Sequence, residues 1–240
     1  MENSTYPYQY ETHCHTCWCS ACAHDTPQDM ARAYYEHGYA GIVITDHFLL
    51  GNTAVDRTLP WERMMACYYA AYQAAADWAQ GKDFDVLFGM EHNYGNGREA
   101  LTYGISLEFL LAHPGLHRLP PKEYYAVVHE AGGFVSMAHP YRDRGYIDMS
   151  QPMFPEYHDA LEVFNFYNYP EENRKAEDLA RSRGMVGTSG GDEHRKDGDA
   201  IGCAGILLPR RVRTGAELVE VLRSRDYQIL VDGEARSCVF

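Results

Sequence analysis

Apolar residues along the chain come in short runs, and most of the segments between them carry helical spacing. Tyr8 to His15 reads as a first strand; Thr26-Pro27-Gln28-Asp29 then sets an N-cap residue ahead of a proline at the first helical position, with a helix to about Glu36. Gly38 is its terminator, Gly41 to Thr45 is a β-branched run that predicts a second strand, and Pro60 to Gln80 is long, Ala-rich and helical. Asp85 to Glu91 and Leu101 to Leu107 predict two further strands, and Pro121 to Ala131 predicts a helix closed by Gly132-Gly133. Phe134 to Ala138, Ala160 to Phe164 and Met185 to Thr188 continue as strands, with a helix near Asn173 to Arg183 stopped by Gly184. Cys203 to Leu208, a helix opening at Thr214 with Glu217 as capping-box partner, and Gln228 to Val231 complete the series.

Strand-then-helix repetition predicts an α/β protein with a mostly parallel sheet, either open or closed into a barrel. The polar residues discriminate between the two. His13-Cys14-His15, Thr45-Asp46-His47, Met90-Glu91, Ala138-His139-Pro140 and Asp192-Glu193-His194 all follow short apolar runs. Polar groups at the ends of so many strands converge easily only when the strands form a ring with those ends on one face.

The residue types in these clusters point to metal. His13 and His15 are two apart, so in a strand they share a face and present two imidazoles to one ion. Asp192 and His194 repeat the spacing with a carboxylate, after Ser189-Gly190-Gly191, whose glycines allow the backbone close to an ion. Glu91 offers a carboxylate, which bridges two cations where a neutral imidazole cannot. Each cluster alone has an ordinary reading as a loop pair, a capped turn or a polar strand end. The ordered set of five reads as one polynuclear metal site.

Composition narrows the class. A chain of 240 residues with 45% hydrophobic composition and no linker, repeat or low-complexity stretch is expected to form a single domain, 1–240. Its net charge of -13 supplies no broad basic surface, so stable binding to duplex nucleic acid is not expected. Met1-Glu2-Asn3-Ser4-Thr5 lacks the features of a signal peptide and no apolar run spans a bilayer, so the expectation is a cytoplasmic protein without membrane contact. Seven cysteines, four of them at Cys14, Cys17, Cys19 and Cys22, read as reduced thiols rather than a disulfide framework or a zinc or iron-sulfur cluster.

The clusters, in their order, resemble the PHP (polymerase and histidinol phosphatase) superfamily of metal-dependent phosphoesterases, whose pattern runs HxH, TDH, GxE, HP and a late Asp-x-His. Here these are His13/His15, Asp46/His47, Gly89-Met90-Glu91, His139/Pro140 and Asp192/His194, within about residues 10 to 208. The resemblance implies a distorted (β/α)7 TIM-like barrel with two or three divalent ions (Zn, Mn or Fe) at one face. It implies that His13, His15, Glu91 and Asp192 hold one ion, that Glu91 bridges to a second held by His139, and that His47 and His194 hold a third. His24 or Cys22 would complete the third position, with His24 favoured. Two departures stand out: Glu11 replaces the usual Asp of the first motif, and Tyr103 stands where the strand after the glutamate commonly carries His.

The implied reaction is hydrolysis of a phosphate ester, in a small phosphorylated substrate, by a hydroxide bound to the metal centre. Asp46 is the candidate for proton transfer beside Glu91, and Arg142, with Arg195-Lys196 as a weaker pair, is the candidate grip on phosphate. Asn165, Tyr167 and Tyr169 follow another strand end and are candidates for lining the pocket. Two alternatives accompany this reading. An amidohydrolase also opens on a strand-borne His-x-His but commonly bridges its metals with a mid-barrel lysine, and Lys82, Lys122, Lys175 and Lys196 sit at no such strand end. The second is a non-catalytic metal-binding PHP module.

Overall fold

The computed structural model describes residues 5–240; four of the five residues behind the no-leader expectation lie outside the described residues. The chain runs β1 (Tyr8–Cys14), α1 (Pro27–Glu36), β2 (Gly41–Ile44), α2 (Trp61–Ala79), β3 (Asp85–Asn93), β4 (Glu99–Tyr103), α3 (Leu107–Ala112) and α4 (Pro121–Glu130). It continues with β5 (Phe134–Ala138), β6 (Ala160–Asn165), α5 (Pro170–Arg183), β7 (Val186–Gly190), β8 (Ala204–Leu208), α6 (Gly215–Ser224), β9 (Gln228–Val231) and β10 (Glu234–Ser237).

Local chemistry explains most boundaries. The Thr26 hydroxyl accepts from the Asp29 amide with Pro27 behind it, and Thr214 and Glu217 form the reciprocal capping box of α6. Two elements differ from expectation. The strand expected over Leu101 to Leu107 ends at Tyr103, because the Ser106 side chain accepts from Phe109 N and opens α3 at Leu107. β10 has no apolar face to betray it; it pairs back on β9 through Asp232-Gly233, both at positive φ, a two-residue hairpin turn.

The ten strands form one curled sheet in the order β10-β9-β8-β1-β2-β3-β4-β5-β6-β7. This corrects the expectation of a mostly parallel sheet and departs from the distorted (β/α)7 TIM-like barrel that the resemblance implies. β1·β2, β2·β3, β5·β6 and β6·β7 are parallel, whereas β3·β4, β4·β5, β1·β8, β8·β9 and β9·β10 are antiparallel. The cause is that β3 and β4 are joined by only five residues, 94–98, too few for the crossover a parallel pair requires.

Curling brings β7 back beside β1 and β8. Thr12 Oγ1 donates to the Ser189 carbonyl at 2.8 Å, Gly205 N donates to Ser189 Oγ at 3.2 Å, and a parallel bridge joins Cys14 to Glu193. β2 and β4 to β7 are buried along their whole length. Helix faces cover the outside: Met30, Ala31 and Tyr34 of α1 pack with Ile42 and Ile44 of β2, and Met65 and Tyr68 of α2 pack with Phe88 and Met90 of β3. Each such fully buried side chain contributes about 1.5–3 kcal/mol. Among the described residues no helix is long and apolar enough to cross a membrane.

Candidate metal centre

Strand geometry delivers the donors. On β1 the alternation turns Cys14 into the core with Met30 and Ile44, while His13 and the following His15 face the interior of the curl, both fully buried. Glu91 enters from β3, His47 follows β2, His139 follows β5, and Asp192 and His194 follow β7. Gly190 makes the approach possible: a Cβ there would lie 2.4 Å from His13 Cβ and 2.6 Å from Glu162 Oε1. His139 (φ 29°) and Asp192 (φ 53°) both occupy left-handed backbone that costs an L-residue about 1–2 kcal/mol, a strain that concentrates at functional sites.

Glu91 sits at the centre. Its Oε1 lies 3.1 Å from both His13 Nε2 and His139 Nε2, while its Oε2 lies 2.7 Å from His47 Nδ1 and 3.6 Å from His15 Nε2. Asp192 Oδ1 lies 3.1 Å from His15 Nε2 and 3.4 Å from His13 Nε2. Donor atoms assemble into four overlapping groups within 4.8 Å: His13/His15/Asp192, His13/Glu91/His139, His47/Glu91/Glu99 and His15/His47/His194. His13 Nε2, His15 Nε2, His47 Nδ1 and Glu91 Oε2 are buried without a hydrogen bond. Orphaned buried polar atoms are costly, and four that converge with lone pairs to share fit a bound cation.

Electrostatics agree with that fit. Burial works against charge on Glu91 and Asp192, yet His13 and His47 around the first, and His13 and Arg142 around the second, hold both carboxyls well below their usual range. Burial likewise opposes protonation of His13, but Asp192, Glu162 and Glu91 outweigh it and hold this imidazole well above its ordinary value. His15 goes the other way: burial and the neighbouring His194 and His47 push it well down.

A layer of polar residues orients these donors. Glu162 Oε1 lies 2.8 Å from His13 Nδ1, and its Oε2 accepts from His139 N at 2.8 Å, so one buried carboxylate turns His13 Nε2 inward and fixes the backbone of His139. Glu11 Oε1 accepts from the amides of Thr12, His13 and Gly191 at 2.8, 2.8 and 2.9 Å. Burial raises its carboxyl to about 7 against the pull of those amides.

Asp46 does not face the donors. Both oxygens are taken by Thr16 N, Thr16 Oγ1 and Ser20 Oγ at 2.6–2.7 Å, and Ser20 Oγ lies 3.0 Å from His15 Nδ1. In place of the expected proton transfer, its position holds His15 through Ser20. Burial raises it to about 6.

Other expectations shift with the geometry. Tyr103 is away from the site, its hydroxyl donating to the Thr12 carbonyl in the core. Glu99, at the other end of the same strand, lies beside His47 and His139 instead, at 3.7 and 3.4 Å. His24 joins none of the four donor groups; its amide donates to the His194 carbonyl, and it lines a neighbouring shallow cavity together with Asp192, His194 and Arg195. The Cys22 thiol shares the cavity wall with His47 and His194; although burial raises it, those imidazoles lower it to about 6. All seven cysteines are free, and none joins a donor group among the described residues.

Arg142 is buried, with Nε, Nη1 and Nη2 donating to Asn168, Asp192 and Asn165 at 2.9, 2.7 and 2.6 Å. Three of its five N–H groups are thus engaged, and the side chain still lines the cavity. Arg195 is exposed and pairs with Asp197, and Lys196 pairs with Asp25. Tyr167 donates to Glu193 Oε2, and Tyr169 stacks under Arg144 at the surface. The cavity over the donors has a volume of about 1190 Å³ and is walled by Cys22, His47, Glu99, Arg142 and His194 and, on its far side, by 93–97 and 145–148.

A family model described as PHP-associated matches residues 170–227, which carry α5, β7, β8 and α6 with Asp192 and His194. No curated protein matches the sequence. Among solved structures, the fold is similar to a two-domain protein from Bacteroides vulgatus containing a predicted PHP-like metal-dependent phosphoesterase, at TM-score 0.67 and 15% identity over 95% of this chain. The chain spans 66% of that protein's length, just under two thirds. It is also similar to PsfC from Pseudomonas syringae (TM-score 0.64, 16% identity, 93% of this chain and 91% of that one). An amidohydrolase from Chromobacterium violaceum, solved with bound sulfate and no metal, matches at TM-score 0.56 and 16% identity over 93% of this chain and 98% of that one.

Proposed function

With assignment to the PHP superfamily supported by the family match and the fold, we propose that this chain is a metal-dependent hydrolase of phosphate esters acting on a small phosphorylated substrate. The observation that carries the reading is the convergence of four buried donor atoms without hydrogen-bond partners around Glu91. His13, His15, Glu91 and Asp192 would hold one ion and His139 with Glu91 and Glu99 a second. His47 and His194 would hold a third, with Cys22 in the place first read for His24. Two or three divalent ions bound there supply the charge that neutralises phosphoryl oxygens and acidify water.

The chain's own residues do the positioning. Arg142 is locked by three hydrogen bonds and still lines the cavity, a preformed grip on a phosphate oxygen. Glu162, Glu11 and the Asp46–Ser20 pair hold the histidines in one orientation, so little reorganisation accompanies substrate binding. An amidohydrolase commonly bridges its metals with a lysine, and no lysine lines the cavity, where a glutamate occupies the centre. A phosphate ester is the better substrate for that arrangement.

The test is reconstitution of chelator-treated protein with Mn, Zn or Fe(II), assayed on p-nitrophenyl phosphate, bis(p-nitrophenyl) phosphate and an N-acyl amide panel, with metal content measured alongside. Expected is ester hydrolysis that His13→Ala abolishes together with metal. Equal metal in both proteins would overturn the site, and turnover of amides alone would overturn the substrate class.

A further inference from the structure

A second cavity of about 340 Å³ opens off the metal-facing one, sharing Tyr94, Glu99, His139 and Arg142 as its threshold. Beyond them its lining adds an apolar surface of Leu119, Pro120, Met137, Pro140, Met153 and Phe154, beside Arg98, His117 and Arg118. Tyr94 Oη and His158 Nε2 lie 3.3 Å apart in its lining, and burial lowers His158 to about 4, which keeps it uncharged at neutral pH. Phe154, which helps wall the annex, is in left-handed backbone at φ 52°, held there by Tyr157 N and His158 Nδ1 on its carbonyl. A bulky L-residue in that conformation is strain that the surroundings must impose.

We propose that this annex binds the alcohol portion of the substrate, and that this portion is a flat, apolar ring. The inference rests on the phosphoesterase reading and sharpens it to a substrate class. Thioethers, proline faces and a phenyl ring suit an aromatic surface. The volume is at the small end for ligand pockets, which fits a one- or two-ring group and excludes a polymer. The ester oxygen at the threshold then lies between Arg142 and His139 on one side and the annex on the other.

Two substrates with the same type of leaving oxygen separate binding from intrinsic reactivity: 2-(2-naphthyl)ethyl phosphate and ethyl phosphate, on metal-loaded protein. The expected preference in kcat/KM for the naphthyl ester is about tenfold or more. Phe154→Gly removes the ring and suits the left-handed backbone; it should erase the preference between the two esters, and Met153→Asp should do the same, with the fold of each checked by circular dichroism. Free 2-(2-naphthyl)ethanol, followed by its fluorescence, should bind the wild type and neither variant. No preference, or one that survives both substitutions, overturns the proposal. Alcohol binding lost in both variants supports the annex even if neither ester turns over, in which case it is the phosphoesterase reading that fails.

Discussion

Removing the Glu11 carboxylate tests whether the first strand and the last loop of the site are held by one side chain. Its Oε1 accepts three backbone amides, two on β1 and one at Gly191, and Tyr34 donates to its Oε2 at 3.2 Å. Truncation to alanine leaves three buried N–H groups unpaired at about 1–3 kcal/mol each, offset in part by relief of a buried carboxylate's desolvation, so Glu11→Ala should cost about 4 kcal/mol. Glutamine keeps an oxygen for the three amides and loses only the charge, which is worth roughly half of each bond, so Glu11→Gln should cost about 1.5 kcal/mol. Urea unfolding in chelator measures both without metal linkage, through the shift in midpoint at constant slope. Equal costs for the two variants, or a cost below about 1 kcal/mol for alanine, would refute the clamp and with it the account of how His13 and Asp192 are aligned.

Other outcomes follow from the same geometry. Glu162→Gln should weaken metal binding by about 10–100-fold in a chelator competition, because the imidazole of His13 loses the carboxylate that orients it. Cobalt-loaded protein should show a thiolate-to-metal charge-transfer band that Cys22→Ser removes and His24→Ala leaves, given that the Cys22 thiol is lowered by the His47 and His194 imidazoles whereas His24 meets His194 through its backbone amide. Burial lowers His158 from 6.5 to about 4, so the unfolded chain binds the extra proton between those values. Stability should therefore fall as pH drops from about 6.5 to 4, by about 3 kcal/mol from this group, and His158→Gln should show that much less acid loss in parallel unfolding titrations.

How much of this was legible beforehand depends on what kind of signal each residue leaves. The helix caps at Thr26 and Thr214 and the β-branched run before Asp46 are local, and they appear where the sequence puts them. The direction of a strand is not local. The resemblance points to Tyr103, at the downstream end of β4, whereas an antiparallel β4 brings its first residue, Glu99, to the site. The register pairs Glu99 with Asn93, two residues past Glu91, which the five-residue connection allows one to anticipate. Glu162 had a plainer signal, a lone carboxylate inside Ala160-Leu161-Val163-Phe164 that needs a buried partner. For Cys22 against His24 no pattern decides, since the loop after β1 has no period from which to read direction.

The closure between β1 and β7 also has a consequence for how this protein folds. Donors 179 positions apart (192 − 13) meet only once the last third of the sheet has come round to the first strand, with Cys14 bridging to Glu193. Metal affinity is then a property of the finished topology rather than of any segment, and a nascent chain still lacking β7 presents His13 and His15 without their counter-charges. Cation capture should accordingly be among the last events of folding, and once made it would act as a clasp that slows reopening of the ring far more than it speeds its assembly.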